Sequence, residues 1–569
     1  MSIEIHRDRC TFFESMKLFG VEIRIMRTGS DATAGLCLLV LTLIVTAGTA
    51  VSADDPASRA GSKRPNIVLI LADDLGWSDL GCYGGEIATP HLDKLASKGL
   101  QYTQFYNTAR CWPTRAALMT GFYPQQVGMD PIAKTPFPEN LPLLPHRLRE
   151  QNYRSYHSGK WHIFRAARVV KDGGFDHSYW LRDHSRSFTP QRHIFDDQPL
   201  PVVEPGSGYY SSTAIADFAI QFLEEHTERY SEQPFFLYLA FDAPHFPLHA
   251  PADDIAGYAD RYLEGWDRLR EERVAKIREL GLTDSSPAER EPGVFAHWSM
   301  SEEELRTQID PDETGRAVAW QKLSEGEQQF QATKMAIHAA MVDRMDQEVG
   351  RVVDQVRGMG NGGLSNTLFI FLSDNGASAE IINRGDRHDR SASPGSAGSY
   401  LCLGPGFSTA SNTPWRRHKS WVHEGGVSTP LIVSWPTGIT AAGELRTAHG
   451  HCIDLFETIV DIAGCPETGP PSQGLPMRHG ESLVTTFDED VRLTREEIYF
   501  RHGGHRALRV GDWKVLSDRD SETWSLFDLS NDRAEQHDLA AEHPELTQRM
   551  VARWESLDTD FEQDRARVD

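Results

Sequence analysis

Apolar positions in this chain follow two patterns, one continuous and one periodic. Residues 65–72 (PNIVLILA), 234–241 (PFFLYLAF) and 366–373 (NTLFIFLS) are apolar runs of strand length, which predicts central strands buried on both faces. Each run gives way to polar residues: Asp73 and Asp74 after the first, Pro244 and His245 just past the second, Asp374, Asn375 and Gly376 after the third. Elsewhere apolar residues recur at helical spacing over residues 89–98, 212–227 and 332–357, the last carrying Met335, Ile337, Met341, Met345, Val349, Val352 and Val356. Strands alternating with helices predict an α/β fold: a large doubly wound mixed or parallel sheet with helices on both faces. In such sheets ligands bind at the carboxyl ends of the strands, so three polar strand ends mark a candidate site.

Residues 258–280 and the polar stretch to about 325 read as a charged, helical insertion over the sheet edge, its charge a solvated face. Residues 464–480 are rich in Gly and Pro and predict a loop near a domain boundary. Beyond it, short apolar runs in 507–516 and 524–529 and an amphipathic stretch at 544–557 predict a small antiparallel sheet with one packed helix. These features divide the chain into a leader over 1–53, a main domain over 54–485 and an α+β subdomain over 486–569.

The leader rests on an apolar run at 34–47 that follows Arg24 and Arg27 and precedes a small-residue stretch at 49–53. That is a signal peptide's layout, with Met26 an alternative start; the run is too short for a comfortable membrane span, and no stable span is expected in the mature protein. The protein is therefore expected to be periplasmic or secreted. Cys10 and Cys37 leave with the leader, so five cysteines remain, an odd count that leaves at least one unpaired. Cys111 is the candidate, and Cys452 and Cys465 are read either as a pair or as two buried thiols. With 82 acidic against 58 basic residues the net charge is −24, which disfavours a nucleic-acid partner. An anion site would need a local cationic cluster that overrides this field at short range.

The segment Cys111-Trp112-Pro113-Thr114-Arg115 continues to Leu118-Met119-Thr120-Gly121. It contains C-x-P-x-R followed by L-x-T-G, and it resembles the signature by which type I sulfatases, of the alkaline phosphatase superfamily, have a Cys oxidised to formylglycine. Trp112 stands where the common form has a small residue, and Thr114 where Ser is commoner. The resemblance covers essentially the whole chain from Asn66 onward. It implies an alkaline phosphatase-like fold and a single divalent cation held by Asp73, Asp74, Asp374, Asn375 and the modified Cys111. An all-oxygen set of this kind suits a hard cation, Ca²⁺ first and Mg²⁺ next.

The resemblance further assigns Arg115, Lys160, His162, His245 and Lys419 to the reacting centre, with Lys160, His245 and Lys419 binding the sulfate. Lys160 and His162 are two apart in an extended stretch and so share one face. Lys419 lies five positions before Glu424-Gly425-Gly426, as the family's catalytic Lys does. By this reading the hydrated formylglycine attacks sulfur, Asp374 takes its proton, and Arg115 and Lys160 hold the diol. His245, assisted by Lys419, protonates the departing alkoxide, and His162 removes the proton from the second hydroxyl so that the aldehyde re-forms. A serine has no adjacent hydroxyl to collapse in this way. A formylglycine-generating maturation enzyme is an implied partner, and the substrate is a sulfated glycan or another sulfate ester.

Two alternatives stay open. One is a phosphate or phosphonate monoester hydrolase on the same fold, which Asn375 argues against. The other is a catalytically dead sulfoglycan-binding protein, whose marks would be loss of Cys111, Lys160 or His245. The substrate rim is expected from residues 163–209, 251–325 and 377–417, with His184, Arg186, Arg192, Arg384, Arg387, His388, Arg390, Arg416 and Arg417 as its basic residues.

Overall fold

The computed structural model describes residues 64–384, 387–466 and 475–569 in full, together with the backbone of two N-terminal strands. Those strands, Thr11–Leu18 and Val21–Thr28, pair antiparallel. The leader's apolar run at 34–47 and its cleavage region, like Cys10 and Cys37, lie outside the described residues, as does part of the loop at 464–480. Among the described residues no helix is long and apolar enough to cross a membrane.

The three continuous apolar runs become neighbouring strands at the middle of an eleven-stranded mixed sheet. Asn66–Ala72 is flanked in parallel by Thr367–Ser373 on one side and Phe235–Ala240 on the other. Arg154–Gly159 continues the parallel run beyond Phe235–Ala240, and Ser428–Ser434 joins antiparallel beside Thr367–Ser373. Register sets the site. Ala72 pairs with Ser373, Leu71 with Ala240 and Ala240 with Gly159, so residues 73–74, 374–375, 241–245 and 160–162 all emerge at one edge.

Alternate residues of the central strand enter two separate cores, as period-two geometry requires. Val68, Ile70 and Ala72 face a core that includes Ser211–Arg229 and Glu325–Arg357, while Ile67, Leu69 and Leu71 face one built with Cys111–Thr120, Cys452–Ile462 and Pro544–Val568. Helices thus cover both faces, and the strand carries no solvated side. Glu325–Arg357 begins seven residues before the periodicity suggests, because its first turns are polar; a capping box of Ser324 and Glu327 starts it.

The C-terminal sheet has four antiparallel strands, Glu497–His502, His505–Val510, Trp513–Ser517 and Ser525–Asp528. Its first strand was not anticipated, and its helix runs on to Val568. In the charged insertion the helix spans Gly265–Glu279, and Arg273 departs from the solvated reading: it is buried, paired with Asp79 at 2.8 Å and with Glu86 at 2.8 Å. Cys452 and Cys465 are both free thiols, Cys452 buried beside His451 and Cys465 half-buried near the Arg147 carbonyl.

Candidate active site

Cys111 opens the helix Cys111–Thr120 and is buried. The motif's later residues lock this helix start to a strand end. Thr114 Oγ1 donates to the Asp374 carbonyl at 2.7 Å and lies 2.8 Å from Thr108 Oγ1. Either Ser or Thr supplies that hydroxyl, so the departure at 114 costs the motif nothing here. Arg115, one turn along, donates through Nε to Asp374 Oδ2 at 2.9 Å and through Nη1 to the Lys160 carbonyl at 2.7 Å.

Three cations meet three carboxylates around the thiol. Lys160 Nζ donates to Asp73 Oδ2; Lys419 Nζ lies 2.7 Å from Asp74 Oδ1 and 2.8 Å from Oδ2; Arg115 Nη2 lies 2.8 Å from Asp374 Oδ2. All six side chains are buried. Burial alone would raise the Asp73 pKa, but the neighbouring cations, Lys160 foremost with Arg115 and Lys419, pull it well below the usual carboxylate range. Asp374 goes the other way, raised by burial and by the charge of Asp73. Burial would lower Lys419, yet Asp74 and Glu380 outweigh it and hold the ammonium charged. Burial raises the Cys111 thiol, against the pull of Lys160 and Lys419.

Two oxygens in this cluster have no protein donor among the described residues. Asp73 Oδ1 and Asn375 Oδ1 are buried and unpartnered, a costly state for polar atoms unless something else satisfies them. Asn375 instead spends its amide nitrogen on Asp74 Oδ1 at 2.7 Å, which turns its oxygen loose. One donor atom from each of Asp73, Cys111 and Asp374 falls within 4.8 Å of the others, and the same holds for Asp73, Asp74 and His245. Carboxylate and amide oxygens left over at a buried anionic point fit a hard divalent cation.

Three imidazoles ring the centre. His245 Nδ1 donates to the Phe246 carbonyl, so the ring presents Nε2, 3.8 Å from Asp74 Oδ2. His162 sits at a left-handed φ of 60°, with its Nδ1 unpartnered. His184 lies between them, its ring 5.5 Å from His162 and 5.6 Å from His245. Burial, then neighbouring lysine charge, pushes all three well below the ordinary histidine range and keeps them neutral.

All ten residues expected from the sequence therefore occupy one edge of the sheet. Others join them that the motifs did not signal. Arg110 bonds Glu380 at 2.6 Å, Glu380 lies 3.5 Å from Lys419 Nζ, and His184 was expected only as a rim residue. Trp112 fills the space between His162, 5.9 Å away, and His502, 5.5 Å away, and His502 is itself tied to Asp130 at 2.9 Å. Much of the expected basic rim is neutralised within its own loops: Arg186 by Asp183, Arg416 and Arg417 by Glu291.

The sequence model of the family described as Sulfatase matches residues 65–465, and that described as N-sulphoglucosamine sulphohydrolase, C-terminal, matches residues 415–560. The chain is 29% identical to an uncharacterised sulfatase of Schizosaccharomyces pombe, over 87% of this chain and 94% of that one. It is also 29% identical to an arylsulfatase of Klebsiella aerogenes, over 78% and 96%. A solved structure described as Ps i-CgsB in complex with a neocarrahexaose superposes with a TM-score of 0.62 at 23% identity, covering 88% of this chain and 94% of the other, and shares the fold.

Proposed function

We infer the function from one premise: this chain belongs to the sulfatase family, whose model spans residues 65–465. It is a sulfuric ester hydrolase, and we propose that it releases sulfate from a sulfated carbohydrate through a formylglycine made from Cys111. The observation that carries this reading is the buried ring of Arg115, Lys160 and Lys419 around Cys111. In a chain of net charge −24, that ring supplies the local attraction an anionic ester needs.

A divalent cation, Ca²⁺ before Mg²⁺ on the all-oxygen donor set, would be held by Asp73, Asp74, Asp374, Asn375 and the modified residue 111. When bound it supplies Lewis-acid polarisation of the sulfuryl group and offsets its charge. The hydrate of the residue 111 aldehyde supplies one hydroxyl to attack sulfur and a second whose deprotonation frees the sulfate. Arg115, pinned at Nε and Nη1, and Lys160 orient that hydrate. Asp374, grouped with residue 111 in the same cluster, is placed to accept the attacking hydroxyl's proton. His245 presents Nε2 to the leaving oxygen; burial and then Lys419 depress the free ring, and a substrate anion beside it raises the ring's proton affinity toward the donor role. His162, neutral and with a free Nδ1, is placed to take the second hydroxyl's proton. The leader fits export, and the maturation enzyme would act on Cys111 before the fold buries it.

The test is a mass spectrum of the Cys111 peptide from active protein, with sulfate release as the paired assay. Formylglycine is lighter than cysteine by about 18 Da. Cys111→Ser is expected to bring sulfate release down to background. Active protein carrying only the thiol, or a serine variant with normal turnover, would remove this reading.

A further inference from the structure

A cavity of about 340 Å³ lies beside the reacting centre and takes no part in the roles assigned above. The charged insertion forms one wall, through Phe295 and Trp298. The opposite wall comes from Trp421 and from the C-terminal sheet, through His505, Asp518 and Arg519. Ser420 and Arg110 join the cavity to the centre. Ser420 lines it, follows Lys419 in the chain, and accepts from Arg110 Nη1 at 2.5 Å. Arg110 directly precedes Cys111, and its guanidinium lies 4.6 Å from the Trp298 ring centre.

The lining is mixed in a way that selects a ligand class. Flat aromatic faces accept the C–H face of a sugar ring, while a few convergent polar groups fix its hydroxyls. The charged groups differ in what they have left to offer. Arg417 is held by Glu291 at 2.8 Å, and Asp518 is engaged by His505 at 3.0 Å. Arg519 donates from Nε to the Gly503 carbonyl and has no carboxylate partner among the described residues. Its side chain runs along the Gly503-Gly504 turn, where both glycines have positive φ. A Cβ on Gly503 would meet Arg519 Nη2 at 2.8 Å. The double glycine thus leaves a lane for a half-buried arginine that no internal acid neutralises, which is the group to receive a carboxylate or sulfate.

We propose that this cavity binds the sugar next to the sulfated one, stacked against Trp298, with an anionic substituent on that sugar facing Arg519. The substrate class is then a sulfated oligosaccharide carrying a second anionic group, in preference to a small aryl sulfate. The inference rests on the sulfatase reading and narrows it.

The experiment measures nitrophenyl sulfate turnover by the mature enzyme and its inhibition by sulfated monosaccharides and by tetrasaccharides from carrageenan, chondroitin sulfate and heparan sulfate digests. At least one tetrasaccharide with a second anionic group is expected to compete roughly a hundredfold more tightly than its monosaccharide, since one bidentate arginine contact and one stacking face are each worth about tenfold. In Trp298→Ala and in Arg519→Ala that length advantage should shrink by about tenfold each. Arg519→Lys, which keeps the charge but not the fork, should recover part of it. Arg519 bonds to Gly503 and His505 and not to Arg110, so its variant tests the site even where Trp298→Ala disturbs Arg110. If no tetrasaccharide outcompetes its monosaccharide, or if the advantage survives undiminished in both alanine variants, the subsite is wrong while nitrophenyl sulfate turnover still supports the sulfatase reading. Absence of turnover on every sulfate ester would overturn both.

Discussion

Two clusters of buried and half-buried acids stand a few residues apart in this chain, and they handle their oxygens in opposite ways. At Asp79 and Glu86 every carboxylate oxygen has a donor. Asp79 takes Arg273 at 2.8 Å on one oxygen and Gly76 N at 2.9 Å and His338 Nε2 at 3.0 Å on the other. Glu86 takes Arg273 on both oxygens and Tyr262 on one. At Asp73, Asp74 and Asp374 the cations are as numerous as the acids, yet Asp73 Oδ1 and the neighbouring Asn375 Oδ1 find no donor. A closed network finishes its electrostatics inside the fold and serves stability; an open one keeps valence for something that is not protein. Charge and burial alone do not separate the two, since both are cation-paired and Asp79 is as buried as Asp73, Asp74 and Asp374.

That contrast can be broken from either side. The largest effect is expected from the open cluster. His245→Ala should cost a sugar sulfate on the order of 10² to 10⁴ in kcat/KM, and a nitrophenyl sulfate much less, because nitrophenolate leaves nearly without a proton. Equal losses on the two substrates would demote His245 to an anion contact. In the closed cluster, Arg273→Ala strands Asp79 and Glu86 without their shared cation and should cost about 3–5 kcal/mol in a urea unfolding titration. Turnover per folded molecule should stay close to wild type; a large fall would tie the closed cluster to the chemistry.

A cation should distinguish the clusters next. Exhaustive chelation is expected to abolish activity, with Ca²⁺ restoring it better than Zn²⁺. At a Ca²⁺ concentration about a hundredfold above its dissociation constant, unfolding should become harder by about 2.7 kcal/mol. Asp73→Asn should lose that shift and Asp79→Asn should keep it. Elemental analysis finding two zinc ions per chain would instead favour a phosphatase.

The smallest effect is in acid. Burial would raise Asp79, but His338 and Arg273 outweigh it and hold its pKa below the unfolded value, and Arg273 does the same for Glu86. For depressed carboxylates the stabilisation is complete above the unfolded pKa, about 4, and is lost as pH falls toward the folded values. Below pH 4 wild-type stability should therefore drop more steeply than that of Asp79→Asn, by up to about 1.4 kcal/mol per pH unit for the one carboxylate removed. Parallel acid limbs for the two proteins would mean that Asp79 is not depressed.

The candidate site was legible to the extent that its residues announce themselves locally. Cys111, Pro113 and Arg115 share one helical turn, and the Asp and Asn residues directly follow strands whose apolar runs need no partner to be read. His184 and Glu380 have no such context: each reaches the centre from a loop, and a lone His or Glu in a polar stretch carries no pattern. Arg273 looked like solvated helix charge because its partners, Asp79 and Glu86, lie almost two hundred residues earlier. Two misses did have signals. Ser324 and Glu327 form a capping box that marks the true helix start, and Glu497–His502 carries three consecutive β-formers, with Ile498 and Phe500 buried in one core and Tyr499 in another.

By itself the sequence determined the sheet's central strands, the helices that cover them and the Cys111 motif, while the other residues gathered at the strand ends were pointed to only through the family resemblance that the motif opened. Those properties are written in short-range order, where a strand's two-residue period or a motif's spacing is complete within a dozen positions. Only the tertiary structure decided which buried acids are satisfied and which are left open, that Trp112 is wedged between His162 and His502, and that the insertion and the C-terminal sheet enclose a cavity beside Ser420. Those depend on the pairing of groups hundreds of residues apart, and a hydrogen bond or a cavity wall exists only when packing brings both sides within a few ångströms.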